Sequence, residues 1–331
     1  MKEAGVLKTP GTGNTVLSSA FSLLMKYKML LVLLGMVIFL SAASDFFLTQ
    51  RNITNVLRQI SINSILGIGV TYVILTGGID LSLGSIVALS GVISTSVVLT
   101  GGPGSIYLGL LCGILVGAAC GMVSGITISI FKAPAFVITL AMMTIIRGLA
   151  LMFTDGRPVS GFDSGFLRFG QGIIWFIPTP VAILILVLLI SIFILSFTQF
   201  GRHVYAVGGN SEAARVSGIN VRSVITLAYT ISGACAGLGG VILASRINAG
   251  QPVSGQGSEL DAIAAVVIGG TSLSGGVGGV GGTIIGALII GVINNGLNLM
   301  EVSSYWQQVV KGLIIATAVI IDLVTNRSCN R

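Results

Sequence analysis

The chain has 331 residues, 53% of them hydrophobic and 8% charged, with a formal net charge of +7. A soluble domain carries about 25% charged residues, so this composition excludes an ordinary soluble enzyme, a disordered chain and a coiled coil. A mean hydropathy of +1.02 instead marks a polytopic membrane protein.

Residues 1–28 are polar and carry Lys2, Lys8, Lys26 and Lys28, as expected of a cytoplasmic N-terminal segment. The first apolar run, Met29–Ala43, ends in Ser41-Ala42-Ala43, which faintly resembles a signal-peptide cleavage site. The long polar leader and the many later spans favour a retained anchor. Apolar runs follow at about 60–76, 82–99, 105–131, 134–153, 177–198, 223–245, 259–273, 281–299 and 306–322. The expectation is an all-α polytopic bundle of about ten transmembrane helices. The transmembrane domain covers 29–322 and a short cytoplasmic tail covers 323–331.

Sidedness follows from the cations. With both ends cytoplasmic, the inner face receives Lys2, Lys8, Lys26, Lys28, Lys132, Arg202, Arg215, Arg222, Arg327 and Arg331. The outer loops and margins receive Arg51, Arg58, Arg157, Arg168 and Arg246. This obeys the positive-inside rule, and inversion would break it. Scattered between apolar runs, these charges mark a membrane face and argue against a nucleic-acid partner. Cys112, Cys120, Cys235 and Cys329 are far apart with no CxxC pair, and read as small hydrophobic residues.

Glycine is used in register. Gly113, Gly117, Gly121 and Gly125 recur along one helix face, as do Gly233 and Gly237, and Gly282 and Gly286. This spacing lets backbones approach closely and forms packing seams. Gly77-Gly78-Ile79-Asp80-Leu81-Ser82-Leu83-Gly84 matches Gly269-Gly270-Thr271-Ser272-Leu273-Ser274-Gly275-Gly276 at five of eight positions. Paired glycine-broken segments mark transporters built from internal repeats with discontinuous helices. Chance similarity between glycine-rich loops is the competing reading, and the sense of the repeat, parallel or inverted, stays open.

Several chemistries lack their residues. There is no G-x-x-x-x-G-K-[ST], so the chain binds no ATP through a Walker A loop. Gly276-Val277-Gly278-Gly279-Val280-Gly281 fits GxGxxG but has membrane spans around it instead of a βαβ unit. One histidine, His203, leaves nothing for a metalloenzyme or a Ser-His-Asp hydrolase. No catalytic, metal or cofactor site is expected. Ionisable residues at membrane depth suggest function. Asp80 either caps the helix restarting at Leu81 or serves transport directly. Glu259, Asp261 and Asp322 fall at span ends, where solvated or capping roles compete with a transport role. Lys311 stands near the start of the tenth span. Arg147 should pair with a carboxylate or carbonyls inside the bundle.

The longest cytoplasmic loop runs from Phe200 to Val221. Asn210 or Ser211 suits an N-cap, Glu212 the positive end of a helix dipole and Arg215 the negative end. Gly218 suits the C′ position. The reading is a helix of about two turns, too short to stand alone and suited to a cleft in a partner protein.

With these motifs the chain resembles the permeases of the ribose-type carbohydrate ABC transporter family. The resemblance rests on Thr76–Gly84, on Ala206-Val207-Gly208-Gly209-Asn210 to Ser217-Gly218-Ile219-Asn220-Val221, and on Glu259–Gly270. Asn294–Leu299 and Ser303–Gln308 fit as well, and about 29–322 is covered. Ribose permeases look closest, but galactose, allose, arabinose and autoinducer-2 permeases share most of these residues.

The resemblance implies a pair of permeases around one path, a separate cytoplasmic ATPase with two nucleotide-binding domains that holds the ATP and Mg, and a soluble sugar-binding protein outside. It places the chain in the bacterial inner membrane among lipid. It also implies that Gly209, Asn210, Ser211, Glu212, Ala213, Ala214, Arg215, Val216, Ser217 and Gly218 form the coupling helix inserted in the ATPase. Asp80, Asn294, Asn295, Asn298, Ser303, Tyr305 and Gln307 are candidate hydroxyl partners along the path, with plain helix-to-helix hydrogen bonding as the competing role. The rival readings are an ion-coupled carrier acting as a single chain, an ABC permease for another sugar or for branched-chain amino acids, and an intramembrane enzyme, which the lack of a catalytic pair disfavours.

Overall fold

The computed structural model describes residues 28–162 and 164–329. The expectations for residues 1–27 and 330–331 lie outside the described residues, as does the side chain of Asp322. Among the described residues there are thirteen helices and one two-stranded hairpin. In chain order these are α1 (Lys28–Ala43), α2 (Gln50–Leu75), α3 (Leu83–Val98), α4 (Ser105–Phe131), α5 (Ala135–Thr154), α6 (Ser164–Gln171), β1 (Ile173–Ile174) and β2 (Ile177–Pro178). There follow α7 (Thr179–Phe197), α8 (Gln199–Gly209), α9 (Ser211–Val216), α10 (Val221–Ile247), α11 (Ser258–Ile268), α12 (Val280–Leu299) and α13 (Ser304–Cys329). Each of the ten apolar runs contains a helix. Six helices, α2, α4, α5, α7, α10 and α12, are long and apolar enough to cross a membrane. α1 and α3 are shorter apolar helices. The last helix continues through Cys329, past the expected boundary at 322.

α2 and α10 form the centre. Ile65, Ile68, Val70, Tyr72, Val73 and Ile74 of α2 are fully buried, as are Ala228, Tyr229, Ala236 and Val241 of α10. The outer faces of α4, α5 and α7 expose Leu111, Leu115, Phe153, Leu186, Leu189 and Phe193. Such continuous apolar surface suits hydrocarbon and not water.

The glycine seams pack as their spacing requires. Gly117 and Gly233 face each other across α4 and α10 so closely that a Cβ on either would collide with the other's carbonyl. Gly121 meets the Tyr229 carbonyl, while Gly282 and Gly286 meet the carbonyls of Gly269 and Ala265 on α11. The backbones themselves are the contact, and dispersion at this range needs no side chain.

Contacts give each helix its direction. Gly69 meets Ser232 and Cys235, and Gly239 meets Leu66, so α2 and α10 are antiparallel. Gly240 meets Val87 and Gly250 meets Thr95, so α3 runs with α10. α11 runs with α2, because α12 is antiparallel to both. The elements α2–α3–α4 and α10–α11–α12 therefore repeat the same order in opposite senses: full helix, returning connection, short helix, full helix. The repeat is inverted.

The glycine echo does not mark equivalent positions in that repeat. Residues 77–84 connect α2 to α3, whereas 269–276 connect α11 to α12. The counterpart of the first connection is 248–257. The two echoing loops instead touch, Gly275 lying against Gly77, while Gly276 N donates to the carbonyl of Leu75 at the end of α2 at 2.9 Å. Both need left-handed backbone, at Gly77, Gly270, Gly275, Gly276 and Gly278, which explains their shared composition.

Candidate functional site

Two regions concentrate the polar groups. The first is the end of the bundle that carries α8 and α9. Asn210 has extended backbone, ends α8 and caps α9, accepting from Glu212 N at 3.0 Å and Ala213 N at 2.9 Å. Glu212 and Arg215 form an exposed ion pair at 2.9 Å. Gly218, at φ +86°, follows the C-cap Ser217, and Ile219 N returns to the Ala214 carbonyl. The capping geometry expected from the residues is present in a helix of six residues. Gly209 does not belong to it: the extended Asn210 separates them, and Gly209 closes α8.

Only Ala214 of α9 is buried, whereas Glu212 and Arg215 side chains are 68% and 66% exposed and Val216 is 81% exposed. Among the described residues nothing covers this face.

The preceding helix α8 stands where the residue pattern reads as loop. Its glycines and charges obscure an apolar face at Phe200, Val204 and Val207, spaced four and three residues apart. Thr198 caps it, accepting from Gly201 N at 3.2 Å, and Phe200 stacks on Tyr72 with ring centroids 6.3 Å apart. Tyr205 Oη donates to the Gly278 carbonyl at 2.9 Å, and burial raises its phenol above the usual tyrosine range, so it stays a donor. Gly208 lies on the Leu75 carbonyl and beside Gly276 N, and Gly275 reaches the Gly208 carbonyl. The root of α9 thus abuts, backbone to backbone, the end of α2 and the second glycine loop, whose Gly275 in turn abuts Gly77.

The second region is where α3 and α11 meet by their N-terminal ends. Gly84 abuts Gly255 and the Glu259 carboxylate so closely that a Cβ would overlap both. Val87 packs on Gly240 and Asp80 bonds Ser232, so the junction is level with the middle of α10.

Asp80 is fully buried and its carboxylate is engaged on both oxygens. Oδ1 accepts from Ser82 N (3.0 Å) and Ser82 Oγ (2.6 Å), and Oδ2 accepts from Ser232 Oγ (2.9 Å). The helix restarts at Leu83 and not at Leu81, and its N-cap Ser82 makes no side-chain cap bond, so Asp80 closes the turn before α3 and ties it to α10 instead of capping the helix. Arg147 Nη1 donates to the carbonyls of Pro252 and Ser254, both at 2.8 Å, which is the carbonyl alternative expected for it. Glu259 Oε1 accepts from Gly257 N at 3.2 Å. Asp261 is not a solvated end group: it is buried and pairs with Lys311 Nζ at 2.9 Å. Asn294 Nδ2 reaches the same carboxylate at 3.4 Å, while its Oδ1 is buried without a partner among the described residues.

The remaining polar candidates are dispersed. Asn295 and Asn52 exchange reciprocal amide bonds at 2.8 and 3.1 Å. Gln307 donates to Asn298 at 2.8 Å and to the Val302 carbonyl at 2.9 Å. Ser303 and Tyr305 are exposed, Tyr305 by 83%.

Two clefts flank the connection before α11. One, of about 590 Å³, is lined by Gln256, Glu259, Asp261, Gln308 and Lys311 among others. The other, of about 530 Å³, holds Ser85, Arg147, Gln256 and Glu259. Sequence reasoning passed over Gln256 and Gln308. The signal that could have raised them is a polar residue three positions before an intramembrane charge, at Glu259 and Lys311.

A family model described as branched-chain amino acid transport system / permease component matches residues 52–319. The ribose import permease protein RbsC of Escherichia coli (strain K12) is 45% identical over 307 residues, covering 90% of this chain and 94% of that permease. The protein of the same description from Bacillus subtilis (strain 168) is 46% identical, over 87% and 89% of the two chains. The D-allose transport system permease protein AlsC of Escherichia coli (strain K12) is 41% identical, over 86% and 87%. No solved structure matches.

Proposed function

Since this chain belongs to the branched-chain amino acid transport system / permease component family, we infer that it is the membrane-spanning subunit of an ATP-binding-cassette importer for a monosaccharide, ribose in the first place. One observation carries the choice of cargo: 45% identity across 94% of a ribose import permease. The chain is a transport component and not an enzyme. It sits in the bacterial inner membrane with ten membrane segments over 29–322, both ends cytoplasmic, and lipid around α4, α5 and α7. A second copy completes the path. A cytoplasmic ATPase with two nucleotide-binding domains holds ATP and Mg, and a soluble binding protein delivers the sugar.

The exposed face of α9, from Asn210 to Ser217, docks in the ATPase, and Gly209 and Gly218 bracket it. ATP binding closes the ATPase, α9 and α8 move together, and the displacement passes through Gly208 to the end of α2 and the α11–α12 connection. The bundle then opens outward, accepts sugar, and resets on hydrolysis. ATP drives this cycle because it binds one state better than the other. Asn294 and the Asp261–Lys311 pair lie along the path, with Asn298, Tyr305 and Gln307 at its outer mouth; Asn295 and Asp80 hold its walls.

Branched-chain amino acids are the second cargo reading. The mutual pairing of Asp261 with Lys311 favours a neutral solute, since a zwitterion needs unspent counter-charges. The deciding experiment is reconstitution of this chain with its ATPase and binding protein. ATP-dependent accumulation of ribose is expected. Accumulation by the lone chain under a proton or sodium gradient would show an ion-coupled carrier instead.

A further inference from the structure

We propose that the cleft between the N-terminal end of α11 and the first turns of α13 is the vestibule that receives the solute's hydroxyl groups, with the side-chain amides of Gln256 and Gln308 as its ledge. The inference rests on the sugar reading above and adds the residues that meet the cargo.

Hydrogen-bonding capacity separates these residues from the other polar side chains. Asp80, Asn295, Asn298 and Gln307 are committed to protein partners. Gln256 and Gln308 have no side-chain partner among the described residues, and Lys311 spends one donor on Asp261. Gln256 and Gln308 are exposed and Lys311 is half-buried, and such groups beside an apolar bundle must face a water-filled cavity or a polar solute and not hydrocarbon. Here both amides and the ammonium line one cleft of about 590 Å³. That size lies within the range of about 300–1,000 Å³ for small-molecule pockets.

The lining has the chemistry of a polyol site. A glutamine amide donates and accepts, as a hydroxyl does. Of the charges in the lining, Asp261 is paired with Lys311, and Glu259 accepts from Gly257 N. Gln256 and Glu259 line the neighbouring cleft as well, so a solute leaving one side of the connection before α11 meets the same two residues on the other. The connection lies at the head-to-head junction of α3 and α11, so a relative motion of the two repeats opens one side or the other.

The test uses the complete transporter in proteoliposomes, with ribose as the probe. In Gln256→Ala and Gln308→Ala, ribose moved per ATP hydrolysed should fall about fivefold, the worth of one neutral hydrogen bond. Stimulation of ATP hydrolysis by the loaded binding protein should persist, and Gln308→Asn should recover part of the loss. In a chain freed of its native cysteines, Gln308→Cys should react with a hydrophilic thiol reagent and be protected by sugar during turnover. Normal uptake per ATP in both alanine variants, or a thiol at position 308 that only membrane-soluble reagents reach, would overturn the vestibule while leaving the sugar reading intact. A wild-type complex that moved no sugar would overturn the sugar reading and the vestibule with it.

Discussion

The α-carbon of Gly208 lies against the carbonyl oxygen of Leu75, with no room between them for a side chain. Leu75 ends α2, and its carbonyl also accepts from Gly276 N at 2.9 Å. One glycine therefore ties the root of α9 to the end of the central helix and to the α11–α12 connection. Gly208→Ala should abolish uptake, because the methyl group must displace backbone and overpacking of this kind costs about 1–3 kcal/mol. The milder Tyr205→Phe, which loses only the bond to Gly278, should lower uptake per ATP with insertion unchanged. Equal coupling ratios in wild type and Tyr205→Phe, from paired uptake and hydrolysis assays, would count against a mechanical joint here.

Gly209 is one residue away and behaves oppositely. A Cβ there would meet nothing within 4 Å. Gly209→Trp and Glu212→Trp should leave the thermal midpoint of the purified chain within a degree or two, about the size expected for surface changes. Both should uncouple hydrolysis from uptake, because the bulk projects into the ATPase cleft. Normal uptake in both variants would refute the docking of α9.

Loss of Asn210 should act locally. Asn210→Ala removes a cap that accepts two backbone bonds, at a cost of about 1 kcal/mol to a six-residue helix. The expected result is faster amide exchange confined to residues 211–217 and weaker ATPase association. Asn210→Asp should retain the cap. An unchanged exchange rate would contradict the capping account.

Lys311→Met leaves the Asp261 carboxylate half-satisfied and should destabilise the chain by up to about 3 kcal/mol, less than a fully enclosed pair because the cleft admits water. Asp261→Asn combined with Lys311→Met should recover most of that loss, and a double-mutant cycle on thermal midpoints in detergent measures the coupling. Strict additivity would mean that the pair contributes nothing.

The α4–α10 seam offers a structural control. Gly117→Leu and Gly121→Leu should prevent stable insertion, since each Cβ enters the backbone of α10. Gly148→Leu, on α5 with nothing within 4 Å, should be tolerated. Comparable yields of all three in membranes would show that the seam is not the close contact described.

Local chemistry was legible from residue order. Ten apolar runs, glycines every four residues, and the Asn-Ser-Glu…Arg…Gly pattern of α9 each depend on neighbours within one or two helical turns, so propensity, periodicity and capping rules reach them. Helix α8 was masked because its glycines diluted its apolar face. The relations between distant segments belonged to the tertiary structure. Whether Asn295 meets a solute or Asn52, whether Asp261 is solvated or held by Lys311, and whether Gln308 faces a cleft depend on which helices come to lie side by side. Spacing along one helix cannot tell, because a polar residue carries the same identity whether its bonds are spent on protein or left open. The inverted sense of the repeat likewise required packing. Apolar runs read alike in both directions, and only successive contacts, such as Gly69 with Ser232 and Gly239 with Leu66, or Gly282 with Gly269 and Gly286 with Ala265, orient one half against the other.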